Sequence, residues 1–258
     1  MKSTATVTWK FTVFSMKPVA LFDLDGTLTV PRQRATNEML DFLRRLRETV
    51  STGVVSGSDL PKINEQLGCD AHECFDYVFS ENGVVAHREG SLIGSNSIAT
   101  YLGEDKLKEL INFVLRYFSD VEVPVKRGTF IEYRTGMLNF SPVGRACSQA
   151  ERLQFFAYDK EHKVRDKFVS ALKERFPADK YGLQFSIGGQ ISVDCFPIGW
   201  DKTHCLQYID DDVEVHFFGD MTHPGGNDHE IFAHDRTKGY TVSSPKDTIE
   251  QCIRLFRL

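Results

Sequence analysis

Apolar residues recur along this chain with two different periods, and the points where the period changes divide it into blocks. Val19–Phe22 is an unbroken apolar run, which predicts a strand covered on both faces, as in a parallel sheet. Met39, Phe42, Leu43 and Leu46 then fall at i, i+3, i+4 and i+7, with Arg44, Arg45 and Arg47 facing elsewhere. That spacing predicts an amphipathic helix, with Thr36 as its N-cap. Residues 53–55 and 77–79 predict two more short strands, with a helical stretch ending at Leu67 between them. Strand alternating with helix argues for a doubly wound α/β layer.

Beyond about residue 87 the pattern changes. Leu107, Leu110, Ile111, Val114, Leu115 and Phe118 mark a helix. Residues 129–133 and 137–141 flank Arg134-Thr135-Gly136 and predict a β-hairpin. Val164, Phe168, Leu172 and Phe176 mark a second helix, and residues 183–187 and 191–196 form a second hairpin through Gly188-Gly189. After Pro197 the first pattern returns. Residues 201–209 read as a helix, 215–218 as a strand closed by Gly219-Asp220, and Ile249, Ile253 and Phe256 share a face of the last helix. The predicted fold class is α/β: a Rossmann-like doubly wound core from residues 1–86 and 197–258, with an inserted α+β cap domain at 87–196.

Composition narrows the partners. Against 36 Asp and Glu stand 31 Lys and Arg, a net charge of −5, so broad binding to nucleic acid or to an anionic membrane surface is not expected. An anionic ligand must meet a local cluster of cations. No apolar run approaches the roughly 18 residues of a bilayer span. The six cysteines form no Cys-x-x-Cys pair and are expected to be reduced thiols in a cytoplasmic protein. Residues 1–15 are expected to be a loose extension or a start placed too early, since their apolar patch is too short and broken for a secretory segment.

The chemistry begins at Asp23-Leu24-Asp25-Gly26-Thr27, directly after the first strand. In open α/β sheets ligands gather beyond the carboxyl ends of strands. Two carboxylates two residues apart on a turn can divide labour, one attacking phosphorus and the other exchanging a proton. The same residues would also suit an Asp- and Gly-rich turn with no catalytic role. Three later signals favour chemistry. Ser56 ends the second strand, Lys202 opens a helix in the returning core, and Gly219-Asp220 is followed by Gly225-Gly226-Asn227-Asp228, which suits oxygen ligation of Mg²⁺. In this order the four resemble haloacid dehalogenase-like phosphotransferases. Arg134 in a hairpin turn, Arg145 in a glycine-flanked loop and Arg152 beyond it would each ordinarily hold solvent or an acid. A basic cluster on the insert of an acidic chain would instead let the insert grip one phosphate while the core attacks another.

Further runs resemble the eukaryotic phosphomannomutase family. They are 22–29 with Pro31-Arg32, 126–134, 136–139, 141–145, 189–194, 200–202, 217–220 and 224–232. The resemblance covers about residues 18–258 and implies a residue-by-residue assignment. Asp23 would be the nucleophile that forms an aspartyl-phosphate, and Asp25 the general acid/base. Asp23, Asp220 and the backbone carbonyl of Asp25 would hold Mg²⁺. Ser56 and Lys202 would stabilise the transferring phosphoryl group. Arg32, Arg134, Arg145, Arg152, Ser192 and Asp194 would bind substrate. The implied activity interconverts mannose 6-phosphate and mannose 1-phosphate, with glucose phosphates as further candidates. It would be primed by a hexose 1,6-bisphosphate activator and would supply GDP-mannose for glycosylation, with a cytoplasmic homodimer formed through the cap. One departure stands out. The family's loop carries an Asp two residues beyond Ile-Phe, where this chain has His234, with Asp235 next to it. Imidazole suits Mg²⁺ poorly, so a second cation site is expected to be altered, with Phe232, His234, Asp235 and Thr237 as its candidates. The alternatives are a sugar-phosphate phosphatase on the same core and a non-catalytic sugar-phosphate sensor. The intact Asp23/Asp25 pair argues against the sensor.

Overall fold

The computed structural model describes residues 17–31 and 33–258; the expectations for residues 1–15 and for Arg32 lie outside the described residues. The first block forms β1 (Val19–Phe22), α1 (Asn37–Thr49), β2 (Ser51–Val55), α2 (Leu60–Leu67), α3 (Ala71–Cys74), β3 (Tyr77–Ser80), β4 (Val85–Arg88) and β5 (Ser91–Ser95). The middle block forms α4 (Ile98–Leu102), α5 (Glu104–Asp120), β6 (Ile131–Tyr133), β7 (Leu138–Phe140), α6 (Gln149–His162), α7 (Val164–Arg175), α8 (Ala178–Tyr181), β8 (Leu183–Gly188) and β9 (Ser192–Pro197). The returning block forms β10 (Val215–Gly219), α9 (His229–Phe232), β11 (Thr237–Thr241) and α10 (Pro245–Phe256).

Two sheets result. The larger runs β11-β10-β1-β2-β3-β4-β5, and its first five strands are parallel. The smaller is antiparallel, in the order β6-β7-β9-β8. Every residue of β1 is buried, as its unbroken apolar run requires. In α1 the Thr36 hydroxyl accepts from the Met39 N–H at 3.2 Å, and Met39, Leu40, Phe42, Leu43 and Leu46 are the buried stripe. The larger sheet is covered on both faces, by one cluster around Phe22, Phe42 and Phe75 and another around Leu21, Phe79 and Phe217. The smaller sheet packs against α5 and α7 through a separate cluster that includes Leu110, Phe140, Phe168 and Leu172.

One expectation needs correction. A boundary at residue 87 falls inside β4, because β4 and β5 continue the larger sheet antiparallel to β3 as far as Ser95. The helix expected over 201–209 forms at 202–208 as a 3-10 helix, capped where the Asp201 carboxylate accepts from the Thr203 N–H at 2.9 Å. All six cysteines are free thiols. Among the described residues no helix is long and apolar enough to cross a membrane.

Phe168 is fully buried, with its ring centroid 4.8 Å from that of Phe118 and 4.9 Å from that of Tyr117. Phe168→Ala is expected to cost about 3–5 kcal/mol through lost transfer energy and a residual cavity. A denaturant titration followed by circular dichroism should show an earlier midpoint; an unmoved midpoint would show that this cluster does not limit stability.

Candidate active site

Three neighbouring parallel strands deliver the site. In the order β10-β1-β2, Phe218 lies beside Phe22 and Phe22 beside Val54. The residues just past their carboxyl ends, Asp220, Asp23 and Ser56, therefore emerge along one edge of the sheet. The Asp23 N–H donates to Phe218 O at 2.9 Å, and the Ser56 N–H donates to Phe79 O at 3.0 Å. The turn after Asp23 closes on itself, with the Gly26 N–H donating to Thr29 O at 2.8 Å. Gly26 has φ +84°, and a Cβ there would stand 2.3 Å from Asp220 Oδ2. Only glycine lets this turn settle against the Asp220 carboxylate that follows β10.

The electrostatics centre on Lys202, which the 3-10 helix inserts beneath the strand ends. Its buried ammonium donates to Asp23 Oδ1 and, at 2.6 Å, to Asp228 Oδ1. The other oxygen of Asp228 accepts from the Met221 N–H at 3.0 Å. Carboxylate oxygens of Asp23, Asp220 and Asp228 lie within 4.8 Å of one another. Burial pushes the Asp23 carboxyl up to about 7; Lys202 opposes that rise and the charge of Asp228 adds to it. Burial, then Asp228, likewise raises Asp220. Burial alone would lower Lys202, yet the two carboxylates Asp23 and Asp228 hold it above the ordinary lysine range, so it stays charged. Three carboxylates facing one ammonium leave a buried excess of negative charge. An all-oxygen donor set of this kind fits a hard divalent cation such as Mg²⁺. Beside it opens a cleft of about 280 Å³ lined by Asp23, Asp25, Ser56, Asp220 and Asn227, among others.

The Asp25 carboxylate stands outside that trio. It accepts from Gln66 Nε2 at 2.7 Å, and the same amide nitrogen is 2.6 Å from Thr29 Oγ1. Helix α2, capped at Asp59 by an N–H from Lys62 at 3.1 Å, puts Gln66 there. The structure thus separates the two aspartates of the turn, with Asp23 beside Lys202 and Asp25 beside a neutral amide.

A second polar cluster lies on the insert. Glu132 on β6 forms ion pairs with Arg134 at 2.7 Å and Arg145 at 2.8 Å. Arg145 also donates to Asn139 Oδ1 at 2.6 Å, and Asn139 donates to Asp194 Oδ1 at 2.5 Å. Arg152 donates to the Arg145 carbonyl at 2.9 Å. Burial raises Glu132, but the hydrogen bond and charge of Arg134, with the charges of Arg145 and Lys62, outweigh it and hold Glu132 below its usual range. Lys62 sits on α2 and lines a cavity of about 470 Å³ together with Asp25 and Gln66. The insert's cluster therefore feels a core side chain next to the first site. Burial raises Asp194 and lowers Arg145.

The sequence-predicted residues divide accordingly. Asp23, Asp25, Ser56, Lys202 and Asp220 gather at the strand ends; Arg134, Arg145, Arg152 and Asp194 gather on the insert. Ser192 donates to Gly188 O at 3.1 Å and shapes the β8–β9 turn. At the expected second cation site, the Thr237 hydroxyl hydrogen-bonds Ile231 O and, at 3.0 Å, His234 O. His234 Nδ1 accepts from the Arg236 N–H at 3.1 Å. Among the described residues no trio of acidic or imidazole ligands forms around Phe232, His234 and Asp235. Sequence reasoning did not assign roles to Asp228, Gln66 or Glu132. Only Asp228 carried a signal, as the last carboxylate of the glycine-rich run after Asp220.

Comparisons with known proteins agree with this geometry. The model of the family described as eukaryotic phosphomannomutase matches residues 39–258. The chain is 61% identical over 238 residues to a phosphomannomutase of Triticum aestivum, covering 92% of this chain and 95% of that one. It is 59% identical over 238 residues to a phosphomannomutase of Arabidopsis thaliana, covering 92% and 96%. With 258 − 238 = 20 residues left out, Asp23 must lie inside the wheat alignment. Among solved structures, the C-terminal domain of a C. albicans trehalose-6-phosphate phosphatase superposes with a TM-score of 0.60 at 15% identity, covering 95% of this chain and 93% of that one. A haloacid dehalogenase-like hydrolase from Bacteroides thetaiotaomicron superposes with a TM-score of 0.57 at 14% identity, covering 93% and 100%. The distant structures share the fold, whereas the family model and the relatives near 60% identity match most of the chain in sequence: the chain belongs to the eukaryotic phosphomannomutase family.

Proposed function

We propose that this chain is a phosphomannomutase that moves a phosphoryl group between O6 and O1 of mannose through an aspartyl-phosphate at Asp23. The observation that carries the reading is the presence of two separate clusters. A nucleophile clamped by Lys202 lies at the strand ends, and a group of arginines lies on the insert. A bisphosphorylated hexose has one phosphate for each.

In the forward half-reaction an Asp23 carboxylate oxygen attacks phosphorus of the hexose bisphosphate, and the bond to the sugar oxygen breaks. Asp25 gives that oxygen its proton. Lys202 offsets the charge that spreads over the phosphoryl oxygens, and the Ser56 hydroxyl lines the same cleft. The monophosphate leaves, and a mannose monophosphate takes its place with its free hydroxyl facing Asp23. Asp25 takes the proton of that hydroxyl as its oxygen attacks the aspartyl-phosphate; the bond from phosphorus to Asp23 breaks and a bisphosphate forms. That bisphosphate turns about and gives its other phosphoryl group to Asp23 as in the first step. Arg134, Arg145 and Arg152, three guanidiniums against the carboxylates of Glu132 and Asp194, grip the distal phosphate in both orientations. Ser192 adds to that subsite, and Arg32 is a further substrate-binding residue. Asp23, Asp220 and the Asp25 carbonyl, with Asp228 nearby, would hold Mg²⁺, which would supply charge neutralisation. Phe232, His234, Asp235 and Thr237 would hold any second cation only weakly. The reading extends to a cytoplasmic homodimer, paired through the insert, that supplies GDP-mannose synthesis.

A coupled assay of mannose 1-phosphate conversion, with and without a hexose 1,6-bisphosphate, run beside a phosphate-release assay, tests this. Strong activation by the bisphosphate with little phosphate release is expected. Phosphate release faster than isomerisation, with no bisphosphate requirement, would make the chain a phosphatase. Asp23→Asn should abolish both activities and the phosphorylated Asp23 peptide seen by mass spectrometry. Arg145→Ala removes a charged, bidentate-capable donor worth about 1.5–3 kcal/mol. Its KM should rise about tenfold or more with an unchanged melting temperature. A melted variant would mean that Arg145 holds the insert together and not the substrate.

A further inference from the structure

Residues 81–84, between β3 and β4, touch both clusters at once. Glu81 and Asn82 have φ +50° and +62°, a left-handed pair that non-glycine residues adopt at a cost and that persists only where the surroundings over-determine it. The surroundings do so from two sides. On the core side, the Glu81 N–H donates to Ser58 O at 2.9 Å and the Asn82 N–H donates to Ser56 O at 2.8 Å, so the pair anchors the loop that carries Ser56. On the insert side, the buried Glu81 carboxylate accepts from the Gly136 N–H at 2.8 Å. Gly136 belongs to the β6–β7 turn, two residues from Arg134.

The fit at that turn is close. A Cβ on Gly136 would stand 2.5 Å from Val84 Cγ1 and 2.9 Å from Val84 Cβ, and a β-branched neighbour has little freedom to yield. Val84 is also tied to the segment entering the insert, since the Asn96 N–H donates to Val84 O at 3.0 Å. The next carbonyl of the turn, Thr135 O, accepts from the Ile98 N–H at 2.9 Å. One short strained segment therefore carries the Ser56 loop on its backbone and the arginine-bearing turn on a side chain.

We propose that Glu81 is a positioning residue for the return transfer: its carboxylate fixes the Arg134 turn relative to the Ser56 loop, so that a sugar hydroxyl and not water meets the aspartyl-phosphate. The proposal rests on the mutase reading above. First transfer from a donor with no distal phosphate requires only that its phosphoryl group reach Asp23. Return transfer requires that a hexose monophosphate, held by its distal phosphate, present its free hydroxyl in line, and misplacement of the distal grip loses that geometry steeply. Glu81 touches no substrate and acts only through Gly136.

The full-length chain and its Glu81→Ala, Glu81→Gln and Gly136→Ala variants test this through two readouts. One is the ratio of isomerised hexose phosphate to inorganic phosphate, with mannose 1-phosphate and a hexose bisphosphate. The other is labelling of Asp23 by acetyl phosphate, a donor with no distal phosphate. Glu81→Ala keeps a Cβ, so the backbone strain is unchanged and only the latch is lost. Its mutase kcat/KM should fall on the order of tenfold, with a larger share of released phosphate and labelling within about twofold of wild type. Glu81→Gln, whose amide oxygen still accepts, should restore the wild-type ratio. Gly136→Ala should shift the ratio as Glu81→Ala does, and it decides the matter if Glu81→Ala fails to fold. An unchanged ratio in Glu81→Ala, or equal loss of both readouts, would overturn the proposal. A wild-type chain without isomerisation would sink the mutase reading instead.

Discussion

The buried ammonium of Lys202, wedged between Asp23 and Asp228, is the contact on which the site depends. It joins residues 179 positions apart in the chain, so the core is complete only when the polypeptide has come back from the insert. A charged trio under the strand ends is expensive to desolvate, and removing any one partner would strand the others without compensation. Hydrophobic residues of similar volume would pack there at less cost. What they would lose is a carboxylate held in place and surrounded by more negative charge than one lysine offsets. An imbalance of that sign suits a hard divalent cation at the strand ends.

The two polar clusters reside on different layers. The larger sheet supplies rigid strand termini, which suits a nucleophile that must stay in line. The smaller sheet supplies arginines that are already arranged, because Glu132 bridges Arg134 and Arg145, and Asn139 links Arg145 to Asp194. Such a network lowers the ordering cost of binding, since the guanidiniums do not have to be collected around the ligand. The separate apolar clusters beneath the two sheets let each layer hold its own shape. Their relative placement is left to a few contacts at the junction.

What could be read from the sequence follows from these forces. Buried parallel strands such as β1 and one-sided helices such as α1 announce themselves by apolar period, and the strand-end aspartates follow by position. Strands β4 and β5 did not, because β5 is an exposed edge strand whose Leu92 and Ile93 face solvent. Strand β11 has too little apolar pattern to show. Helix α6 buries only Phe155 and the paired Asp159, so it has no stripe to detect. The site was legible where it is made of strand ends. It was illegible at Gln66 and Glu132, whose roles come from a tertiary neighbour and not from any local pattern.

The comparison structures sharpen where mutase character must reside. A phosphatase domain superposes over 95% of this chain at 15% identity. The same fold thus carries phosphatase activity in that protein, and the fold alone does not decide what accepts a phosphoryl group. Lys202 and the three carboxylates would serve water and a sugar hydroxyl alike. Asymmetry has to come from groups that recognise the part of a sugar phosphate that water lacks, and the basic cluster on the insert is the candidate for them. For a sugar hydroxyl to win, the distal phosphate would have to be held at a fixed distance from Asp23 while water is kept out. Specificity of that kind would rest on how the insert's cluster is placed against the strand ends.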